Sequence, residues 1–123
     1  CPHCKEKIKP DSILVEKINK FIERLPTRVE KNKYKTDNIY KAVGCDKCGK
    51  LGYKGRTSIF ELFIVTEEVE EVIYKNPTEI QLKTLAKNQG MTTMQDDGIL
   101  KTLEGLTSLE EIERLTGQIE WIP

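Results

Sequence analysis

The first apolar stretch of the chain has the periodicity of an α-helix. Five apolar residues recur at spacings of three and four positions: Leu14, Ile18, Phe21, Ile22 and Leu25. This pattern predicts one amphipathic helix. Asp11 and Ser12 offer its N-terminal cap, and Pro26 ends it because proline cannot continue a helix. The residues from 27 to 38 are charged and nearly free of apolar side chains, so we expect a solvated loop there.

A second apolar run, from 59 to 65, is almost uninterrupted and is typical of a strand buried on both faces. Residues 38–43 are the other candidate strand. A doubly buried strand needs neighbours on both sides, so we expect the missing sheet to lie upstream, in a longer polypeptide. Glu61 interrupts the run. It either pairs with Arg56 or faces solvent at a sheet edge, and the sequence favours neither.

The remainder of the chain is predicted to be helical. Thr66 is a candidate cap for the first helix of this part, and Gly90 and Gly105 lie where helix C-termini favour a left-handed residue. Three predicted capping boxes follow one another: Thr78 with Gln81, Thr92 with Gln95, and Thr107 with Glu110. The pattern predicts about four short helices beyond Thr66 with a small core of their own.

Four cysteines form two matched C-x-x-C pairs: Cys1, Cys4, Cys45 and Cys48. Two such pairs joined by a longer stretch indicate a four-thiolate zinc site, whose closed tetrahedron is structural rather than catalytic. The intervening stretch exceeds the usual ~15–20 residues, which indicates an inserted element. Two disulfides or free thiols are the alternatives, and His3 is a weaker candidate ligand.

Charge and hydropathy narrow the range of partners and locations that the sequence allows. The chain has 20 basic and 20 acidic residues among 123, whereas nucleic-acid binding favours a basic excess. No apolar run approaches the ~20 residues that cross a bilayer, and no signal segment is visible. We therefore expect a partner other than nucleic acid and no membrane insertion. The first residue is a candidate metal ligand, so we expect the chain to be part of a longer protein.

Chemistry for catalysis is not evident in the sequence. Residues 44–50 match the phosphate-loop pattern G-x-x-x-x-G-K, but Leu51 replaces the Ser or Thr that binds magnesium. Two residues of the pattern are also candidate metal ligands. Asp96 and Asp97 are adjacent and point apart on a helix, which favours a helix-start charge pair over paired catalytic acids. We expect this chain alone not to be an enzyme.

A family resemblance covers nearly the whole chain. Gly-Cys-Asp-Lys-Cys at 44–48, Gly-Tyr-Lys-Gly-Arg at 52–56 and Ile-Phe-Glu-Leu at 59–62 resemble the ATPase family of type II secretion and type IV pilus assembly. So do Gly90-Met91, Asp96-Asp97-Gly98 with Lys101, and the stretch 105–111. Cys1-Pro2-His3-Cys4 fits the first of the family's two C-x-x-C pairs, each of which forms a tight turn called a knuckle. Leu51 departs from the threonine common in the family, and the lysine-rich insert between the knuckles varies in length.

The resemblance implies an α+β, mostly α, fragment of a RecA-like motor: a zinc-binding subdomain with an inserted helix (1–55), a strand of the upstream sheet (56–65) and a C-terminal helical subdomain (66–123). It implies a structural and coupling role in a cytoplasmic homo-hexamer, peripheral to the inner membrane, that contacts neighbouring subunits or the inner-membrane platform protein. ATP and Mg²⁺ would bind upstream. The alternative is a free-standing zinc-ribbon adaptor for protein or nucleic acid.

Overall fold

The computed structural model describes residues 1–121, and it confirms an α+β architecture that is mostly helical. Its elements in chain order are β1 (Glu6–Ile8), α1 (Ser12–Arg24), β2 (Ile39–Lys41), α2 (Glu67–Ile73), α3 (Glu79–Asn88), α4 (Met94–Leu103) and α5 (Leu109–Thr116). Two 3₁₀ turns, Lys31–Lys33 and Asp46–Cys48, interrupt the loops. Within these described residues, no helix is both long and apolar enough to cross a bilayer.

Helix α1 forms as its periodicity predicts. The Asp11 carboxylate accepts a hydrogen bond from the Leu14 amide at 2.7 Å, which satisfies one of the free N–H groups of the first turn. Ile18 and Phe21 are fully buried on its inner face. The loop that follows is less solvated than predicted, because Val29 and Tyr34 pack against the core.

The hydrophobic core joins the two halves of the chain. It contains apolar residues of α1, β2, α4 and the segment after α5: Ile18, Phe21, Leu25, Ile39, Ile99, Leu100, Leu103 and Ile119. The prediction of a separate core for the helices beyond Thr66 is therefore wrong. The inner face of α1 is thus covered by α4, β2 and the segment after α5.

An ion pair reinforces the contact between α1 and α4. The Arg24 guanidinium lies 2.7 Å from the Asp96 carboxylate, whose side chain is only 8% exposed. A buried carboxylate requires such a partner. Arg24 also covers the face of the Phe21 ring, with 5.0 Å between its guanidinium carbon and the ring centroid.

The predicted strand 38–43 is confirmed as β2, and it pairs with β1, which the sequence did not indicate. The two strands run antiparallel, with Glu6 opposite Lys41 and Ile8 opposite Ile39. Ile39 is 1% exposed and places this two-stranded sheet against the core.

Of the three predicted capping boxes, one forms as predicted and two are replaced by caps on the next residue. Thr78 and Gln81 form the predicted reciprocal box at α3. At α4 the box uses Thr93 and Asp96 instead of Thr92 and Gln95. At α5 the cap is Ser108, not Thr107, and its hydroxyl accepts from the Glu111 amide. Tertiary contacts select the neighbouring residue in both cases: Asp96 pairs with Arg24, and Ser108 bonds Tyr53.

The apolar stretch 59–65 does not pair as a strand in the described chain. It is extended and largely exposed, with Leu62 74% and Ile64 70% accessible. Glu61 is exposed, as the solvent-facing interpretation expects, although it lies at no sheet edge in the described chain. Its carboxylate accepts from the Met94 amide at 3.0 Å. The burial predicted for this stretch depends on an upstream sheet, which the described residues do not include, so its assignment as a strand of that sheet stays a prediction. The subdomain bounds 1–55, 56–65 and 66–123 stay a prediction, and the last two residues lie outside the described part.

Candidate metal centre

The four cysteines converge on one point although the two pairs are far apart in sequence. Their sulfur atoms all lie within 4.8 Å of one another. The Sγ of Cys48 is 3.8 Å from the Sγ of Cys4 and 3.8 Å from that of Cys45. Cys48 is buried and the other three cysteines are partly buried.

Each C-x-x-C pair is folded back by its own backbone hydrogen bonds. The Cys1 carbonyl accepts from the amides of Cys4 and Lys5 at 3.3 and 3.0 Å. The Cys45 carbonyl likewise accepts from the amides of Cys48 and Lys50, at 3.2 and 2.8 Å. These bonds turn the chain so that both sulfurs of a pair point to the same side.

The β1–β2 pairing brings the two folded pairs together. β1 begins just after Cys4, and β2 ends shortly before Gly44 and Cys45, so antiparallel pairing places the cysteines at one end of the strands. Glycines make the close approach feasible. A Cβ on Gly44 would lie 2.4 Å from the Lys50 carbonyl oxygen, and a Cβ on Gly52 would lie 2.7 Å from the Ala42 Cβ.

Backbone amides stabilise negative charge on one sulfur in particular. The Sγ of Cys48 accepts from the amides of Cys45 and Gly52, both at 3.2 Å. These bonds lower the pKa of the Cys48 thiol to about 7. Partial burial has the opposite effect at Cys4 and raises the pKa of that thiol.

The arrangement fits a tetrahedral four-thiolate metal centre. Ligands at the zinc–sulfur distance of ~2.3 Å lie ~3.8 Å apart along each edge of a tetrahedron, and two of the observed sulfur–sulfur distances match that edge. An all-sulfur set of four is typical of structural zinc or of iron–sulfur chemistry. His3 is exposed and lies outside the convergent group.

The other candidate residues do not gather into a second site. Residues 44–50 form the second folded pair around the 3₁₀ turn Asp46–Cys48, rather than the strand–loop–helix of a phosphate site. Asp96 and Asp97 point to different partners, as predicted for adjacent helical residues: Asp96 pairs with Arg24 and Asp97 with Lys101. Asp97 also accepts from the Phe60 amide at 2.8 Å.

Sequence reasoning missed the roles of one residue that contacts the centre and of its neighbour in the chain. Gly52 donates its amide to Cys48 and accepts from the Cys1 amino group at 2.7 Å. Tyr53, the next residue, hydrogen-bonds Ser108 at 2.6 Å. Both residues entered the sequence analysis only as part of the family motif at 52–56, and no pattern in that stretch indicates these distant partners.

The fold and site together define a small, mostly helical region built around a four-cysteine cluster. A family model described as "Type II/IV secretion system protein" matches residues 1–114. The chain therefore belongs to this family of secretion and pilus-assembly proteins, as the sequence motifs predict.

Relatives on both branches of the family are similar over most of this chain. A type IV pilus assembly ATPase, PilB of Thermus thermophilus, is 34% identical over 112 residues, which are 91% of this chain and 12% of the relative. Type II secretion system ATPase E of Vibrio cholerae is 36% identical over 118 residues, 94% of this chain and 21% of the relative. HxcR of Pseudomonas aeruginosa, a type II secretion system protein, is 38% identical over 99 residues, 79% of this chain and 20% of the relative. The chain thus spans only 12% to 21% of the length of these relatives.

Proposed function

We propose that this chain is the metal-binding and C-terminal helical region of an ATPase that drives type II secretion or type IV pilus assembly. We propose further that Cys1, Cys4, Cys45 and Cys48 hold one structural Zn²⁺. The observation that carries the metal assignment is the convergence of four sulfurs within 4.8 Å at spacings that fit a tetrahedron. Family membership and the names of the relatives support the parent's activity.

The proposed role is structural and coupling, not catalytic. Four thiolates close the coordination sphere and leave no position for a reacting water. ATP and Mg²⁺ bind elsewhere in the parent, whose RecA-like sheet accepts residues 56–65 as a strand; the exposed apolar side chains there support that placement. The region would contact neighbouring subunits of a homo-hexamer, or the platform protein, at the cytoplasmic face of the inner membrane.

Metal content tests the assignment directly. The chain purified without added metal is expected to contain one zinc per molecule by elemental analysis. Cys4→Ser should lose most of it, because three thiolates leave the sphere open. His3→Ser is the matched control. His3 lies in the same turn as Cys4, but its side chain is exposed and is not part of the cysteine cluster. Iron in place of zinc, or two disulfides by mass spectrometry, would contradict the proposal.

The coupling role is tested in the full-length parent. Cys48→Ser is expected to spare ATP affinity within about 2-fold and to reduce pilus or secretion output, whereas His3→Ser changes neither. The reason is location: no phosphate-binding loop lies in the described part of the chain, and the cysteine cluster supports helices instead. A collapse of ATP affinity with an intact hexamer would place the cluster in the nucleotide site and refute the structural role.

A further inference from the structure

Among the carbonyls of the turn between α4 and α5 that accept no backbone amide are those of Leu103 and Gly105. Gly105, at φ 73°, ends α4 in a Schellman motif: its amide donates to Thr102 and the Leu106 amide donates to Lys101. This motif satisfies the carbonyls of Lys101 and Thr102. The carbonyls of Leu103 and Gly105 need donors from elsewhere.

Both donors come from the segment between the cysteine pairs. The Asn38 side-chain amide donates to the Leu103 carbonyl at 2.8 Å. The Lys5 ammonium donates to the Gly105 carbonyl at 2.8 Å, and it is held 4.3 Å above the Tyr40 ring. Tyr40 also contacts Gly105 closely, because a Cβ there would lie 2.9 Å from the ring.

A residue that follows the second cysteine pair contacts the other end of the same turn. The Tyr53 hydroxyl lies 2.6 Å from the Ser108 hydroxyl. Ser108 is 2% exposed and caps α5 by accepting from the Glu111 amide at 3.3 Å. The bond to Tyr53 orients this hydroxyl, so the tyrosine supports the helix cap from outside α5.

Lys5 and Tyr53 are each one residue away from a group that binds or surrounds the sulfur cluster. Lys5 follows Cys4, and its amide donates to the Cys1 carbonyl. Tyr53 follows Gly52, whose amide donates to the Cys48 sulfur. The two side chains therefore connect the surroundings of the sulfur cluster to the two ends of the 104–108 turn.

We propose that metal occupancy of the four-cysteine cluster controls the order of the α4–α5 turn, with Lys5 and Tyr53 as the positioning residues that connect the two. The inference rests on the proposed metal site. With metal bound, both residues are fixed and the turn is closed; without metal, their backbones loosen and the cap of α5 weakens. The cluster then regulates an element that lies about 50 to 100 residues away in sequence.

Amide hydrogen exchange on the zinc-loaded chain tests this connection. Tyr53→Phe removes only a hydroxyl, and Lys5→Met removes only the ammonium donor. Each is expected to speed exchange of the Leu106 and Glu111 amides roughly 5-fold, the effect of one lost hydrogen bond, with zinc still at one per chain. The matched controls are Tyr74→Phe, at a tyrosine residue 87% exposed, and Lys7→Met, which breaks an exposed 3.4 Å pair with Asp37.

Measurements on the chelated chain provide the second half of the test. Removing zinc from the unsubstituted chain should speed exchange at the same two amides at least 5-fold, while the amides of α3 keep their rates. In the chelated chain, Tyr53→Phe should add almost nothing, because coupled changes are not additive. Equal effects of Tyr53→Phe with and without zinc would overturn the proposal, as would a zinc-loaded Tyr53→Phe chain with unchanged exchange. A chain that binds no zinc at all refutes the proposed metal site itself.

Discussion

A glycine in the middle of α4 offers a sharp test of how α4 and α5 pack. Gly98 lies in a helix interior, where alanine is favoured over glycine by up to ~1 kcal/mol. A Cβ built on Gly98 would nevertheless lie 2.8, 3.1 and 3.2 Å from three side-chain carbons of Ile112. Ordinary carbon–carbon contacts are ~3.5–4.0 Å, and Ile112 is 2% exposed, so it has little free space into which to move.

The steric cost should exceed the gain in helix propensity. Overpacking a well-filled core costs ~1–3 kcal/mol, so Gly98→Ala is expected to destabilise the chain by a net ~1–2 kcal/mol. For a domain of this length, that corresponds to a melting temperature lower by about 4–8 °C. Thermal unfolding followed by circular dichroism at 222 nm measures the change.

A second substitution identifies the contact responsible. Ile112→Val removes the Cδ1 atom that lies at 2.8 Å and costs ~0.5–1.5 kcal/mol by itself. In the Ile112→Val background, Gly98→Ala should cost less than ~0.5 kcal/mol. Ile39→Val, a similar truncation on β2, serves as the control and should leave the cost of Gly98→Ala unchanged. A stabilising Gly98→Ala, or the same cost in both isoleucine backgrounds, would refute the reasoning.

Two further predictions concern the helix starts. Thr78→Ala should lower the free energy of unfolding, measured by urea denaturation, by ~1 kcal/mol because it breaks the reciprocal box of α3. Thr66→Ala should lower it by only a few tenths of a kcal/mol, since Thr66 makes no side-chain cap bond. Equal costs would contradict the assigned caps. Asp96→Ala should cost ~3 kcal/mol, because it removes the α4 cap partner and leaves Arg24 unpaired. Glu110→Ala, at an exposed first-turn position, is its control, and a cost below ~1 kcal/mol for Asp96→Ala would show that the ion pair adds little.

Local signals in the sequence were sufficient for the elements that depend on near neighbours. Helix α1 has an apolar period, an Asp cap and a proline stop within one short stretch, and the structure follows all three. The cysteine pairs were recognised because a C-x-x-C turn is itself local. The left-handed φ angles of Gly90 and Gly105 were likewise predictable, since helix ends favour glycine.

Features that depend on distant partners were not predictable in the same way. Either of two adjacent hydroxyl residues suits the start of α4 and of α5, and only Arg24 and Tyr53, remote in sequence, decide between them. β1 is too short, at three residues, to show an alternating pattern. The sharing of one core by both halves was missed because periodicity says which face is apolar, not which element covers it.

The dependence of α1 on α4 also has a consequence for synthesis of the protein on the ribosome. Arg24 and Asp96 are 72 residues apart, and ribosomes add ~5–20 residues per second. The apolar face of α1 is therefore made about 4–15 s before the helix that covers it. During that interval the nascent chain presents Ile18 and Phe21 to its surroundings, so this apolar face is open to chaperones and to misassembly until α4 has been made.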